Sequence, residues 1–195
     1  MKVNVDKTLS FLRGLQWVER SNGQAKVLGR YSILEHGASC ALLYLLIKQI
    51  DCEMADANVM ALLLLHDGME KYTGDILYPA KCTSEAECEQ IERNVYKEVA
   101  EDNPFLFIDE DLKEQMSAAD YKLFKFIDMA EYFFRTAEEL KAGNHTAEVK
   151  IGLRNAFRVC RKRALELQEG SEGIRLLMAI IVQIYVNDAG LPLDE

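Results

Sequence analysis

Apolar residues recur along most of the chain at i, i+3 and i+4, the spacing of helices that bury one face. Only three prolines interrupt 195 residues, so the pattern predicts an all-α protein. A first helix is expected from Val5 to Glu19, carrying Leu9, Leu12 and Trp17 and broken by Ser21-Asn22-Gly23. A second, from Leu34 to Ile50, is apolar on nearly every side through Ala41–Ile47, which marks a central, buried helix. Asp56 is placed to cap a third, Ala57 to Tyr72, which Thr73-Gly74-Asp75 ends; Pro79 fixes a loop over Ile76–Lys81. An acidic amphipathic helix is expected over Ser84–Ala100 and a short element over Ile108–Met116. In Tyr121–Lys141 the core stripe is Leu123, Phe126, Ile127, Ala130, Phe133, Phe134, Ala137 and Leu140. Thr146–Leu167 and Gly173–Asn187 complete the bundle, and with no repeat or linker a single domain over residues 1–195 is expected.

Composition narrows the partners. A chain of this length buries a core without disulfide or structural metal. Lys plus Arg number 23 against 32 for Asp plus Glu, a formal charge of -9, which argues against a nucleic-acid groove. A small phosphorylated ligand, held through a metal and a few local cations, remains compatible with that charge. The runs Ala41–Ile47 and Leu176–Val182 fall short of the about 18 apolar residues of a membrane span. Met1–Asp6 lacks the basic and apolar regions of a secretory leader, so a cytoplasmic protein is expected. Cys40, Cys52, Cys82, Cys88 and Cys160 are odd in number and scattered, and read as free thiols. The Leu176–Val182 run also offers a surface for a homodimer, the oligomer expected here.

Candidate chemistry gathers around two of the three histidines. His145 lies in the polar turn Gly143-Asn144-His145-Thr146 and reads as a surface residue. His36 follows Glu35 at the start of an apolar helix, and His66-Asp67 ends the run Ala61–Leu65. A single imidazole on an apolar face is commonly a core residue bonded to a carbonyl. A carboxylate at the buried end of a helix is costly unless a cation or donor meets it. Asp128 repeats the argument, with Phe124 and Tyr132 one turn away on either side. Two imidazoles and two carboxylates from three helices make a donor set suited to a divalent transition metal: Mn, Co, Zn or Fe. Glu70 and Asp75 follow closely enough to orient a water and protonate a leaving oxygen. Arg30 and Lys81 lie near in sequence as phosphate contacts. Walker, dinucleotide, nucleophile-elbow and H-E-x-x-H motifs are missing.

The order His36, His66-Asp67, Asp128 resembles the H…HD…D signature of the HD-domain metal-dependent phosphohydrolases. Leu34-Glu35-His36, His66-Asp67-Gly68-Met69-Glu70 through Gly74-Asp75, and Pro79-Ala80-Lys81 are similar to segments of the branch holding small 5′-deoxyribonucleotidases and phage nucleotide phosphohydrolases. Phe126–Glu131 fits its last ligand helix. The resemblance covers Arg30–Lys81 and Lys122–Asn144, and implies a single HD-domain helical bundle. It implies metal ligation by His36, His66, Asp67 and Asp128, catalytic acids Glu70 and Asp75, and a phosphate contact at Lys81. The activity implied is metal-assisted hydrolysis of nucleotides, 5′-monophosphates first. The alternatives are a triphosphohydrolase, such as the dATP-specific phage type, and a non-catalytic nucleotide- or protein-binding scaffold. The branch also carries an Arg-Trp pair upstream of the first His. Glu19–Gly23 offers Arg20 with no Trp after it, leaving Arg30-Tyr31 or Trp17 as substitutes in substrate binding.

Overall fold

The computed structural model describes residues 5–20, 27–74, 84–99, 116–167 and 170–190. Their helices are α1 (Val5–Leu15), α2 (Ile33–Ile50), α3 (Ala57–Leu65), α4 (Glu70–Thr73), α5 (Glu85–Val99), α6 (Ala118–Lys141), α7 (Ala147–Leu167) and α8 (Glu172–Gln183). A π-helical turn, Ile184–Asp188, continues α8. Among the described residues there is no strand, only one antiparallel bridge between Glu19 and Ser32. Asp75, Lys81, the Ile76–Lys81 loop and Ile108–Met116, apart from Met116, lie outside the described residues.

The core is built on α6, whose predicted stripe is buried from Leu123 to Leu140 except for the half-buried Phe134. Ser117 caps its start by accepting from the Asp120 N–H. Alongside, α7 presents Val149, Leu153, Ala156, Phe157, Cys160 and Ala164 at the three- and four-residue steps of a single face. Phe157 stacks on Tyr185 with ring centroids 3.9 Å apart, tying the π-helical turn to that core. A smaller cluster joins Phe11 and Leu15 of α1 to Ile33 at the start of α2.

Three elements depart from the periodic reading. The first helix ends at Leu15 rather than Glu19, and its buried residues are Phe11 and Leu15 while Leu9 and Trp17 are exposed. The chain leaves the helix to pair with the entry to α2: Arg20 N–H donates to the Tyr31 carbonyl (2.8 Å) and Ile33 N–H to the Val18 carbonyl (3.1 Å). The third helix stops at Leu65, and residues 66–69 turn before α4 begins. Bonds from Gly68 N–H to Leu65 O (2.7 Å) and from Glu70 N–H to Asp67 O (2.9 Å) form that turn. The reversal after α4 requires Gly74, whose φ of 71° lies in the left-handed region.

Helix α2 is central but not buried all round. Its inner face is Ile33, His36, Gly37, Cys40, Ala41, Tyr44 and Ile47. On the opposite face Leu42 is 66% exposed, with Leu45 and Leu46 also open. Among the described helices α2 alone is long and apolar enough to cross a bilayer, and here it packs against α3, α6 and α8. At Gly37 the approach to α3 is so close that a Cβ would lie 2.8 Å from the Leu64 carbonyl oxygen. That contact sets the first turn of α2 against the end of α3, where the two histidines are.

Candidate metal centre

His36 is fixed by the start of α2, where Ser32 and Glu35 form a reciprocal capping box. Its imidazole is fully buried. His66 caps the end of α3, and the turn that follows brings Asp67 to the same side. In an unbroken helix successive side chains point about 100° apart. At the end of α3 the two neighbours nonetheless meet, with His66 Nε2 3.5 Å from Asp67 Oδ2. Asp128 arrives from α6, one turn beyond Phe124, whose ring lies edge-on to His66 at 5.2 Å.

Four donor atoms meet. His36 Nε2 is 3.2 Å from His66 Nε2, 3.3 Å from Asp128 Oδ1 and 3.6 Å from Asp67 Oδ2. His66 Nε2 is 3.5 Å from Asp67 Oδ2 and 3.6 Å from Asp128 Oδ1. Ligand atoms around a tetrahedral ion at 2.0–2.1 Å stand about 3.3 Å apart, so the separations of His36 and His66 from each other and from either carboxylate suit a shared cation; His36, His66 and Asp67 together form one such close set. The proton assignments agree. His36 Nδ1 faces a Glu131 carboxylate oxygen at 2.5 Å and His66 Nδ1 faces the Leu63 carbonyl at 3.0 Å, both acceptors, so each Nδ1 donates. Neutral imidazoles would then turn two Nε2 lone pairs on each other and on two carboxylates, a repulsion that a cation relieves.

The electrostatics carry the same demand for positive charge. Burial and the Arg20 charge lower the His36 pKa, but hydrogen bonds to Asp128, Cys40 and Glu131 outweigh them and hold it well above the ordinary imidazole value. Burial pushes His66 down, against its bond to Asp128. Burial also raises Asp128, yet the two imidazoles outweigh it and keep that carboxyl well below the usual range. The Cys40 thiol sits 3.7 Å from His36 Nε2 and burial pushes it up, so it is a neutral neighbour.

The predicted substrate and acid residues fall into three groups. Glu70 is buried at the first position of α4, three residues past Asp67. Asp75 and Lys81 lie outside the described residues. Trp17 is 67% exposed, and Arg30 is an exposed side chain bonded to the Trp17 carbonyl (3.3 Å) and 3.7 Å from Glu19. Arg20, rather than Arg30, is the cation at the cluster. It pairs with Asp67 and stands 3.8 Å from Asp128. The bridge between Glu19 and Ser32 delivers it there, a pairing that local periodicity does not reveal.

Sequence reasoning offered Tyr31 only as a substrate contact and gave Glu131 no role of its own. The Tyr31 hydroxyl donates to one Glu131 oxygen while His36 takes the other. Burial, then the Glu131 charge, keeps the Tyr31 phenol protonated by raising its pKa far above the ordinary value. The available signal for Glu131 was its place three residues after Asp128, on the same face of α6. Tyr31 gave none for its bond to Glu131.

The fold and site define an all-α helical protein with a candidate divalent-metal centre. More narrowly, a family model described as 5′-deoxynucleotidase YfbR-like matches residues 7–161, and the chain belongs to that family. Among curated proteins, none matches the sequence significantly. Solved structures share the fold, among them the following three. The PH0347 protein from Pyrococcus horikoshii OT3 superposes with a TM-score of 0.69 at 16% identity, covering 93% of this chain and 99% of its own. A conserved hypothetical protein from Pyrococcus furiosus gives 0.63 at 18%, over 93% and 99%. The HD phosphohydrolase DatZ of cyanophage S-2L, solved with dA and one catalytic Zn²⁺, gives 0.64 at 18%, over 98% and 99%.

Proposed function

We propose that the chain removes phosphate from (deoxy)nucleoside 5′-monophosphates at a metal centre formed by His36, His66, Asp67 and Asp128, within one domain spanning residues 1–195. The observation that carries this reading is that the two Nε2 atoms lie 3.2 Å apart and each stands 3.3–3.6 Å from both an Asp67 and an Asp128 oxygen. A divalent ion held there supplies Lewis-acid charge against phosphate oxygens and lowers the pKa of water. Arg20, beside Asp67 and Asp128, presents a planar fork suited to a phosphate. Glu70, buried next to the same turn, is the group to orient the attacking water, and Asp75 is the second acid. Lys81 is a further phosphate contact. The family's description supports a deoxynucleotide monophosphate substrate. The cyanophage structure's dA, the nucleoside that dephosphorylation leaves, supports a deoxynucleoside moiety.

The alternative of triphosphate hydrolysis shares this centre and differs in its product. Incubating the metal-loaded protein with dAMP, dADP and dATP, and separating products by chromatography, tests the assignment. Nucleoside and inorganic phosphate from the monophosphate, faster than any turnover of dATP, is the expected result. Release of nucleoside and triphosphate from dATP, with dAMP untouched, would replace the monophosphatase by a triphosphohydrolase.

A further inference from the structure

The face of α6 that carries Asp128 continues through Glu131, Arg135 and Glu139, at steps of three and four residues. Each of these reaches the segment that leads into α2. Glu139 accepts the Val27 N–H (2.7 Å) and the Leu28 N–H (3.2 Å). Arg135 lies over the Tyr31 ring, 4.7 Å from its centroid, and 3.5 Å from Glu139. Glu131 accepts the Tyr31 hydroxyl with one oxygen and the His36 Nδ1–H with the other.

Glu131 is only 6% exposed, a costly position for a carboxylate. A structural ion pair would place a lysine or arginine on it. Here its partners are a phenol and an imidazole whose other nitrogen faces His66, Asp67 and Asp128. We propose that Glu131 is a positioning residue for metal binding: anchored by Tyr31, its carboxylate holds the His36 ring by Nδ1 and aims Nε2 at the centre shared with His66, Asp67 and Asp128. The proposal rests on the ligand role given to His36 above. The carboxylate fixes the tautomer that leaves Nε2 free to donate and strengthens that nitrogen as a ligand. Such outer partners are worth about 10–100-fold in metal affinity. Tyr31 removes the second oxygen from competition and stops the carboxylate from rotating. Arg135 and Glu139 carry the same brace to residues 27 and 28.

The test is Zn²⁺ affinity of the chelator-stripped full chain, measured by competition with a chromophoric chelator, for wild type, Glu131→Gln, Tyr31→Phe and Asp67→Ala. Gln keeps the shape and can still accept from His36 through its amide oxygen, so it removes the charge and reverses only the Tyr31 hydrogen bond. Glu131→Gln is expected to bind Zn²⁺ about 10–100-fold more weakly. Tyr31→Phe should shift affinity in the same direction by less. A Glu131→Gln protein that melts lower but binds Zn²⁺ as tightly as wild type would overturn the positioning role. Should that variant not fold, unchanged Zn²⁺ affinity in Tyr31→Phe overturns it instead. Asp67→Ala separates the two readings. Affinity lost there but kept in Glu131→Gln defeats this inference alone, whereas full affinity in Asp67→Ala defeats the metal centre itself.

Discussion

At the scale of single residues, the centre is governed by which nitrogen each histidine commits. Glu131 and the Leu63 carbonyl occupy the two Nδ1 atoms, so both Nε2 atoms face the carboxylates. Without metal, a proton on His36 and the Arg20 guanidinium supply the positive charge that Asp67 and Asp128 require. In the proposed centre a metal ion and the His36 proton compete for one site. Because the His36 pKa is raised, metal binding must release that proton over a range extending above the ordinary imidazole value. Apparent Zn²⁺ affinity is expected to rise with pH, by up to about tenfold per unit while His36 remains protonated. Calorimetric titrations at about pH 6, 7 and 8 in two buffers of different ionisation enthalpy measure both the affinity and the proton count. Flat affinity with no proton release would remove His36 Nε2 from the ligand set. For the metal-free form the signs are opposed. Stability from Asp128 is present above the ordinary carboxylate range and lost as pH falls through its depressed value; stability from His36 is complete below 6.5 and lost as pH rises through its raised value.

At the scale of elements, helix identity was legible in periodicity and the exceptions were not. The α6 stripe and the Asp56 cap of α3 stand as their spacing predicted, with Asp56 accepting from the Asn58 and Val59 N–H groups. The breaks after Leu15 and Leu65 were missed because each is decided by partners distant in sequence or by a local turn, while the apolar period runs on through both. Helix α2 shows the complementary error. All-round apolarity implied all-round burial, yet Leu42, Leu45 and Leu46 face outward, as do Leu176 and Ile180 on the neighbouring α8. Gly173 of α8 packs on the Ile47 backbone of α2. The sequence predicts a homodimer through the last apolar helix, and a two-fold axis lets one apolar stripe cover its own copy. Light scattering is expected to give twice the 22.2 kDa chain mass, and Leu42→Glu with Leu46→Glu to return the monomer. A monomer in the unmutated protein at every concentration would contradict the association.

At the scale of the whole molecule, the four candidate ligands were readable because each is a polar residue in an apolar run, a local signal. Their supports were not. Arg20 reaches the centre through the Glu19–Ser32 bridge, and Tyr31 through a carboxylate 100 residues away. Both depend on how the segment before α2 lies against α6, which no single periodic window contains. Trp17 and Arg30 were attractive for residue type and proximity in sequence, and the fold leaves both side chains exposed. What the bundle accomplishes is to bring the start of α2, the end of α3 and the middle of α6 within one ion's reach, with Arg20 at the same point.

Phosphate release from dAMP, with Mn²⁺, Co²⁺ or Zn²⁺ and with EDTA, by wild type beside Asp67→Ala, tests that claim most directly. The expected result is turnover that requires metal, stops in EDTA, returns when metal is restored and falls by at least two orders of magnitude in Asp67→Ala, about 3 kcal/mol of transition-state stabilisation. Turnover that persists in EDTA, or an Asp67→Ala protein as active as wild type, would contradict a metal centre built from His36, His66, Asp67 and Asp128.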